Sequence, residues 1–250
     1  MSKSFLKITA ILVFVTIAVY SLVLVPLYEI IACDVMLMNS LWFDAIDLLI
    51  NWAEILGLVL MLAALLCGVY HAGNAKSCAA LYYILGGAVL FKYIAAIAAL
   101  SVVHGSLDFT LDYSGYLVSL LLELIPLVTV TVLTHRYTVR YHEDKEARVR
   151  AAKVLGEETD KETEPLPFGR LFDRKNPLQA IAYIGIGIVA LEHLIAFVAS
   201  EIAFTMLGAA YRLSDLPVTL LYAVVLVLLP AFLGYMVLFY TIRFLERKCF

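Results

Sequence analysis

Long apolar runs are the feature that most constrains how this chain can fold. Six stretches of about 20 or more mostly apolar residues are each long enough to cross the ~30 Å hydrocarbon core of a bilayer as a helix. They cover roughly residues 5–27, 48–70, 79–103, 115–135, 178–206 and 217–242. Hydrophobic residues make up 63% of the chain and charged residues 16%, whereas soluble domains average about 45–50% and 25%. The sequence therefore predicts a membrane protein.

Only helices and closed β-barrels satisfy every backbone polar group inside a bilayer. The run LLYAVVLVLLPAFL, residues 220–233, lacks the alternation of apolar and polar residues that barrel strands show. The sequence therefore predicts an all-α polytopic membrane protein, a bundle of six transmembrane helices that forms one membrane domain over residues 1–250.

Lys and Arg are distributed unevenly between the connections. With a cytoplasmic N-terminus, 16 of the 18 basic residues fall on the cytoplasmic side, as the positive-inside rule requires. We therefore expect a plasma-membrane protein of the bacterial inner-membrane type with both termini in the cytoplasm. Ile30–Cys33 is similar to a lipoprotein cleavage box, but Glu29 and its late position favour an uncleaved first helix.

Two connections carry their own predictions. Tyr28–Asp47 follows the first span as a loop, and its mixture of apolar residues and aspartates favours an interfacial segment over a lid, with Trp42 among the headgroups. Residues 141–177 form a cytoplasmic loop whose first part has charges at helical spacing, which predicts that the fourth helix continues to about Gly156. Acidic residues 157–167 predict a flexible linker.

The second half of the chain partly repeats the first. Spans three and five align at an offset of 100 residues, and the ends of spans four and six align at an offset of 103. The strongest match pairs Tyr137–Tyr141 with Tyr240–Phe244, which share Tyr-Thr-x-Arg. This match predicts a duplicated two-helix hairpin made of spans 3–4 and 5–6. Chance similarity between apolar helices is the alternative.

Ionisable and polar side chains inside the spans are the candidate functional residues. A charged side chain at the bilayer centre costs at least ~2.5 kcal/mol, so such residues usually pair with one another or serve a function. The candidates for binding a substrate or an ion are Asp47, Asn51, Glu54, Lys92, Glu123, Glu192 and His193.

Lys92 and Glu192 are predicted to form a structural ion pair. Each lies about 20 Å along a helix that enters from the same side of the membrane, so both reach the bilayer centre. Their charges are opposite, and pairing would lower the cost of burying them. His193 points away from Glu192 and is expected to be a neutral hydrogen-bonding residue, a proton relay or a bystander.

Two further acids enter from the other side of the membrane. Asp47, Asn51 and Glu54 recur at positions i, i+4 and i+7, which places them in one polar stripe on a helix. Glu54 and Glu123 are both predicted in the outer third of the bilayer. They would either line a cavity open to cations or protons, or each bond a neighbouring helix.

Three functions are compatible with this pattern. A transporter or permease for a small solute or ion explains the intramembrane acids best. A non-catalytic membrane subunit or scaffold of a larger complex, such as one working with a separate ATPase or sensor, is the alternative. An intramembrane enzyme is least favoured because the chain has no HExxH or GxSxG motif.

No cofactor or metal site is expected either. The four cysteines, Cys33, Cys67, Cys78 and Cys249, have no ligand spacing. The expected partners are the lipid bilayer, a further copy of the chain, or another membrane or ATPase subunit. The net charge of −3 gives no sign of nucleic-acid binding.

Overall fold

A computed structural model describes residues 1–35, 40–72, 75–104, 112–155, 177–206, 217, 220–221 and 224–250. Within these ranges every regular element is helical, as predicted. The elements are α1 (Lys3–Val19), a first π-helical segment (Tyr20–Leu24), α2 (Val25–Val35), α3 (Ser40–Ala72), α4 (Ala75–His104), α5 (Asp112–Leu155), α6 (Pro177–Met206), a second π-helical segment (Val224–Leu228) and α7 (Leu229–Cys249).

Four helical stretches among the described residues are long and apolar enough to cross a membrane. They are Lys3–Ile31, Ala45–His71, Cys78–Val103 and Leu229–Cys249. They match the first, second, third and sixth predicted spans and indicate a membrane protein. The other two predicted spans fall on α5 and α6, where part of the side chains lies outside the described residues. The six-span arrangement and the duplicated hairpin stay predictions.

The connection between the first two spans differs from the prediction. The sequence predicted a loop over Tyr28–Asp47, but α2 continues to Val35 and α3 begins at Ser40. The segment contains neither Gly nor Pro, and its Leu, Met and Ala residues favour helix, so the flanking helices extend into it. The side chain of Trp42 lies outside the described residues, and its predicted headgroup position stays a prediction.

Helix α5 is much longer than a single membrane span. Its 44 residues extend about 66 Å at 1.5 Å per residue. The charged residues 142–155 continue the helix of the fourth predicted span without a break, as the sequence predicted. The predicted acidic linker lies in residues 156–176, outside the described residues.

Helix α3 is the central helix of the bundle. It packs against α1, α4, α5, α6 and α7, and every residue from Val59 to Val69 is buried. A helix that is apolar on all sides is suited to such a position. Close approach requires small residues on the neighbours: a Cβ atom added to Gly185 of α6 would meet the Leu62 side chain at 2.9 Å.

Both π-helical segments have the same relation to a proline. Tyr20–Leu24 ends two residues before Pro26, and Val224–Leu228 ends two residues before Pro230. Proline inside a helix lacks an N–H donor, and its ring clashes with the carbonyl four residues earlier. A π-turn widens the backbone at that point and accommodates the ring. The first segment matters for the site, because it begins at Tyr20.

Candidate functional site

Three ionisable side chains from three helices meet inside the bundle. The Lys92 ammonium of α4 donates one hydrogen bond to Glu54 Oε1 of α3 at 2.6 Å. It donates a second hydrogen bond to Glu123 Oε1 of α5. We refer to Glu54, Lys92 and Glu123 as the carboxylate cluster.

The carboxylate cluster is largely removed from solvent. The Lys92 side chain is 9% exposed and that of Glu123 is 3% exposed, whereas Glu54 retains 25%. The second oxygen of Glu123, Oε2, is buried and accepts no hydrogen bond from the described residues. With all three groups ionised the cluster carries one uncompensated negative charge, which is costly in a low-dielectric interior.

Two tyrosine rings lie beside the ammonium. The Tyr20 ring centroid is 5.0 Å from Lys92 Nζ, and that of Tyr93 is 5.1 Å away. Both distances suit a cation–π contact. Tyr20 is the first residue of the first π-helical segment, and π-turns recur at functional sites. A local irregularity of the first span therefore lies directly at the carboxylate cluster.

A small cavity adjoins the carboxylate cluster. It has a volume of about 10 Å³, close to the minimum space that one water molecule requires. Tyr20 and the three cluster residues supply its polar lining, and the remaining wall is Ile17, Ala53, Gly57, Leu58 and Met61. The cavity can therefore hold an ion or molecule no larger than water.

The three cluster residues lie at a similar level of the bundle. Glu54 is 14 residues from the start of α3, Lys92 is 12 from the end of α4, and Glu123 is 11 from the start of α5. These separations correspond to about 17–21 Å along the helices. The sequence placed Glu54 only six residues into its span. Because α3 begins at Ser40 and not at about residue 48, Glu54 lies farther from the start of its helix than the sequence predicted.

The predicted polar stripe on α3 leads towards the carboxylate cluster. Asp47, Asn51 and Glu54 are all half-buried. Asn51 Nδ2 donates a hydrogen bond to Asp47 Oδ2 at 3.3 Å, one helical turn from Glu54. On the other side of Glu54, α3 is continuously buried from Val59 to Val69. The polar side chains of the stripe therefore lie between the cluster and the Ser40 end of α3.

The other two candidates belong to α6. The side chain of Glu192 lies outside the described residues, so its ion pair with Lys92 stays a prediction; the described acidic partners of Lys92 are Glu54 and Glu123. His193 lies within electrostatic range of Glu54. Its Nδ1 is 2.9 Å from the Val189 carbonyl, which can only accept, so Nδ1 carries the hydrogen. Nε2 then carries no hydrogen in the neutral ring and can accept a hydrogen bond.

Tyr20 and Tyr93 were not among the candidates selected from the sequence. The only feature of the sequence that could have indicated Tyr20 is Pro26, which follows the first π-helical segment. Tyr93 is adjacent to Lys92, and its apolar surroundings gave no sign of function. Neither residue could be connected with the acids before α1, α4 and α5 were packed together.

A second buried pair was also missed. His71 Nε2 of α3 lies 3.5 Å from Glu246 Oε1 of α7, and Glu246 is only 6% exposed. The Phe250 ring stacks on His71 with a centroid distance of 4.1 Å. His71 is 17 residues from Glu54, about 26 Å along α3. Glu54 and His71 therefore lie on opposite sides of the buried segment of α3.

A wider groove lies between α1, α3 and α7. Its volume is about 740 Å³, and its lining contains no acidic or basic side chain. Leu12, Trp52, Leu56, Leu233, Val237 and Phe244 form part of its wall. Such a surface suits hydrocarbon or another apolar helix rather than a polar solute.

Comparisons with protein-family models, curated proteins and solved structures find no match.

Proposed function

We propose that this chain is a plasma-membrane transporter or permease for a small solute or ion, with six spans and both termini in the cytoplasm. The carboxylate cluster is its ion-binding site. One observation carries the proposal: two carboxylates from different helices share a single ammonium deep in the bundle.

If the carboxylate cluster were purely structural, one carboxylate would be enough to balance the charge of the single ammonium. Pairing Lys92 with either glutamate alone would neutralise its charge, and a third buried ionisable group would only add cost. The additional carboxylate has a purpose where a positive ion binds and leaves. Because the three groups belong to three helices, the ion also affects how α3, α4 and α5 hold together.

The residues around the carboxylate cluster support an ion pathway that is polar towards the Ser40 end of α3 and closed towards the opposite end. The half-buried stripe of Asp47 and Asn51 leads towards the Ser40 end of α3. On the opposite side the buried segment Val59–Val69 blocks any polar path along α3. This arrangement suits a site that is reached from one side of the membrane at a time.

Uptake into proteoliposomes tests the proposal. Purified protein is reconstituted, a pH or Na⁺ gradient is imposed, and a defined mixture of amino acids, nucleosides, sugars and polyamines is supplied. Mass spectrometry then compares the retained compounds with those in empty liposomes. We expect at least one compound to accumulate with the wild-type protein and to fall to the empty-liposome level with Glu123→Gln.

Glu143→Gln is the matched control, because Glu143 is an exposed acid on the same helix α5. This variant should retain wild-type uptake. Folded, inserted wild-type protein that accumulates no compound under either gradient, and that dissipates neither the pH gradient nor the Na⁺ gradient, would contradict a transport function.

A non-catalytic membrane subunit is the second candidate, and two observations favour it. The charged extension of α5 presents Val154 with 87% of its surface exposed, and the apolar groove between α1, α3 and α7 could receive a partner helix. In that case uptake would remain at the empty-liposome level for every variant. Charged substitutions in the groove, such as Leu233→Glu, would then abolish co-purification of a defined partner.

A further inference from the structure

We infer that the ion bound by the carboxylate cluster is a proton, and that the cluster holds one proton in its resting state. This inference rests on the proposed function and specifies the ion on which the transport cycle depends. It comes from the charge balance, the available ligands and the size of the cavity.

The charge balance sets the number of protons. Glu54 and Glu123 contribute two negative charges when ionised, and Lys92 contributes one positive charge. One bound proton makes the cluster neutral, which is the least costly state in a low-dielectric interior. A second proton would leave the ammonium without an ionised partner, and loss of the first would leave a net negative charge.

The ligands present do not suit a metal cation. Hard cations such as Mg²⁺ and Ca²⁺ take about six to eight oxygen ligands. The cluster has four carboxylate oxygens, and two of these already accept hydrogen bonds from Lys92. The rest of the cavity wall is apolar except for Tyr20. A proton needs a single oxygen, and the cavity of about 10 Å³ has space for one water molecule to deliver it.

Glu123 is the carboxylate best placed to hold the proton. Its side chain is 3% exposed against 25% for Glu54, so water stabilises an ionised Glu123 less. Its Oε2 atom is buried and accepts no hydrogen bond from the described residues, which leaves it available to carry a hydrogen. Glu54, half-buried and next to the polar stripe, is the more accessible of the two and provides the route for exchange.

Titratable and charged groups from several of the surrounding helices face this site. Glu54 comes from α3, Lys92 and Tyr93 from α4, and Tyr20 from the first π-helical segment. His193 of α6 lies within electrostatic range of Glu54. Lys92 is the only described cation in contact with the two carboxylates, so its charge determines how many protons the cluster retains.

Infrared spectroscopy of the purified protein in lipid counts these protons directly. A protonated carboxylic acid gives a C=O stretching band that an ionised carboxylate lacks, and the band shifts in D₂O. At neutral pH we expect the band of Glu123→Gln and that of Glu54→Gln each to be smaller than the wild-type band by one such group, because either remaining carboxylate then forms a neutral pair with Lys92. The band of Lys92→Met should be larger than the wild-type band by one group.

Glu143→Gln is the control and should leave the band unchanged, because Glu143 is an exposed acid that is ionised at neutral pH. If Lys92→Met does not fold, the two glutamine variants still test the count. A wild-type protein whose band neither glutamine variant reduces would overturn the inference. Stabilisation of such a protein by NaCl but not by choline chloride would show that the ion is Na⁺.

The two proposals fail in different ways. The infrared count requires no transport and no known substrate, so a correct count with no uptake would leave the proton site intact and reject the transporter. Uptake that depends on a Na⁺ gradient, by a protein whose infrared band neither glutamine variant reduces, would reject only the proton.

Discussion

Removal of the Lys92 charge is the strongest single perturbation of the carboxylate cluster. In Lys92→Met an apolar side chain of similar length replaces the ammonium, and two hydrogen bonds to carboxylates are lost. Hydrogen bonds to charged groups contribute about 1.5–3 kcal/mol each, so their sum is about 3–6 kcal/mol. Uptake of a second proton by the two acids offsets part of this, and we expect a net loss of about 3 kcal/mol in the free energy of unfolding at neutral pH.

The loss should depend on pH with a defined sign. In folded Lys92→Met the two buried acids bind protons, whereas in the unfolded chain they are exposed and ionised at neutral pH. Since the folded state then binds more protons, its stability rises as the pH falls and decreases as the pH rises. The wild-type protein, whose ammonium compensates one of the two carboxylates, should show a weaker dependence over the same range.

Unfolding by SDS in mixed micelles, followed by circular dichroism, measures both effects. The triple variant Lys92→Met, Glu54→Gln, Glu123→Gln is the control, because it removes all three charges together. Replacement of a complete buried ion pair is often close to neutral, so this variant should recover most of the lost stability. The reasoning would be refuted if the free energy of unfolding of Lys92→Met lay within about 0.5 kcal/mol of the wild-type value. It would also be refuted if the triple variant were no more stable than Lys92→Met.

Three further predictions concern individual contacts between helices. Tyr20→Leu should lower the free energy of unfolding by about 0.5–2 kcal/mol through loss of a cation–π contact. Tyr20→Phe keeps the aromatic ring and should retain this contribution of the cation–π contact in the same SDS titration. Gly185→Ala should cost about 1–3 kcal/mol because the added methyl group meets Leu62 at 2.9 Å. Gly187→Ala, which has no neighbour within 4 Å, should instead be neutral or stabilising by up to about 1 kcal/mol; equal thermal stabilities for these two variants would contradict the packing described. A double-mutant cycle on His71→Asn and Glu246→Gln should give a coupling free energy of at least about 0.5 kcal/mol, and additive effects would show that the pair does not interact.

Hydropathy predicts the helical segments of this chain well because the bilayer allows few backbone structures. Each of the six apolar runs coincides with helix wherever the structure describes it. The prediction of a loop throughout Tyr28–Asp47 was wrong because its aspartates resemble those of a loop, although the segment contains neither Gly nor Pro. Helix propensity and the absence of Gly and Pro were the better guide at this position.

The three residues of the carboxylate cluster were candidates from the sequence, but their contacts with one another were not predicted. Glu54 and Glu123 were expected at one level, and the structure places both against Lys92. The predicted Lys92–Glu192 pair stays a prediction, and the two criteria behind it, opposite charge and matching depth, do not specify which faces of α3, α4 and α5 meet. That choice depends on small residues and apolar contacts along the whole length of the helices, which no single span reveals.

The continuous burial of α3 from Val59 to Val69 has a mechanical consequence. Neighbouring side chains enclose this stretch on all sides, so it offers no channel, and its removal from the bundle would expose the entire interior. Under the proposed transport function, a polar path along this stretch would therefore require a neighbouring helix to separate from α3. In that case α3 would stay in place, and α4 and α5, which contact Glu54 of α3 through Lys92, would be the helices whose movement a bound ion controls.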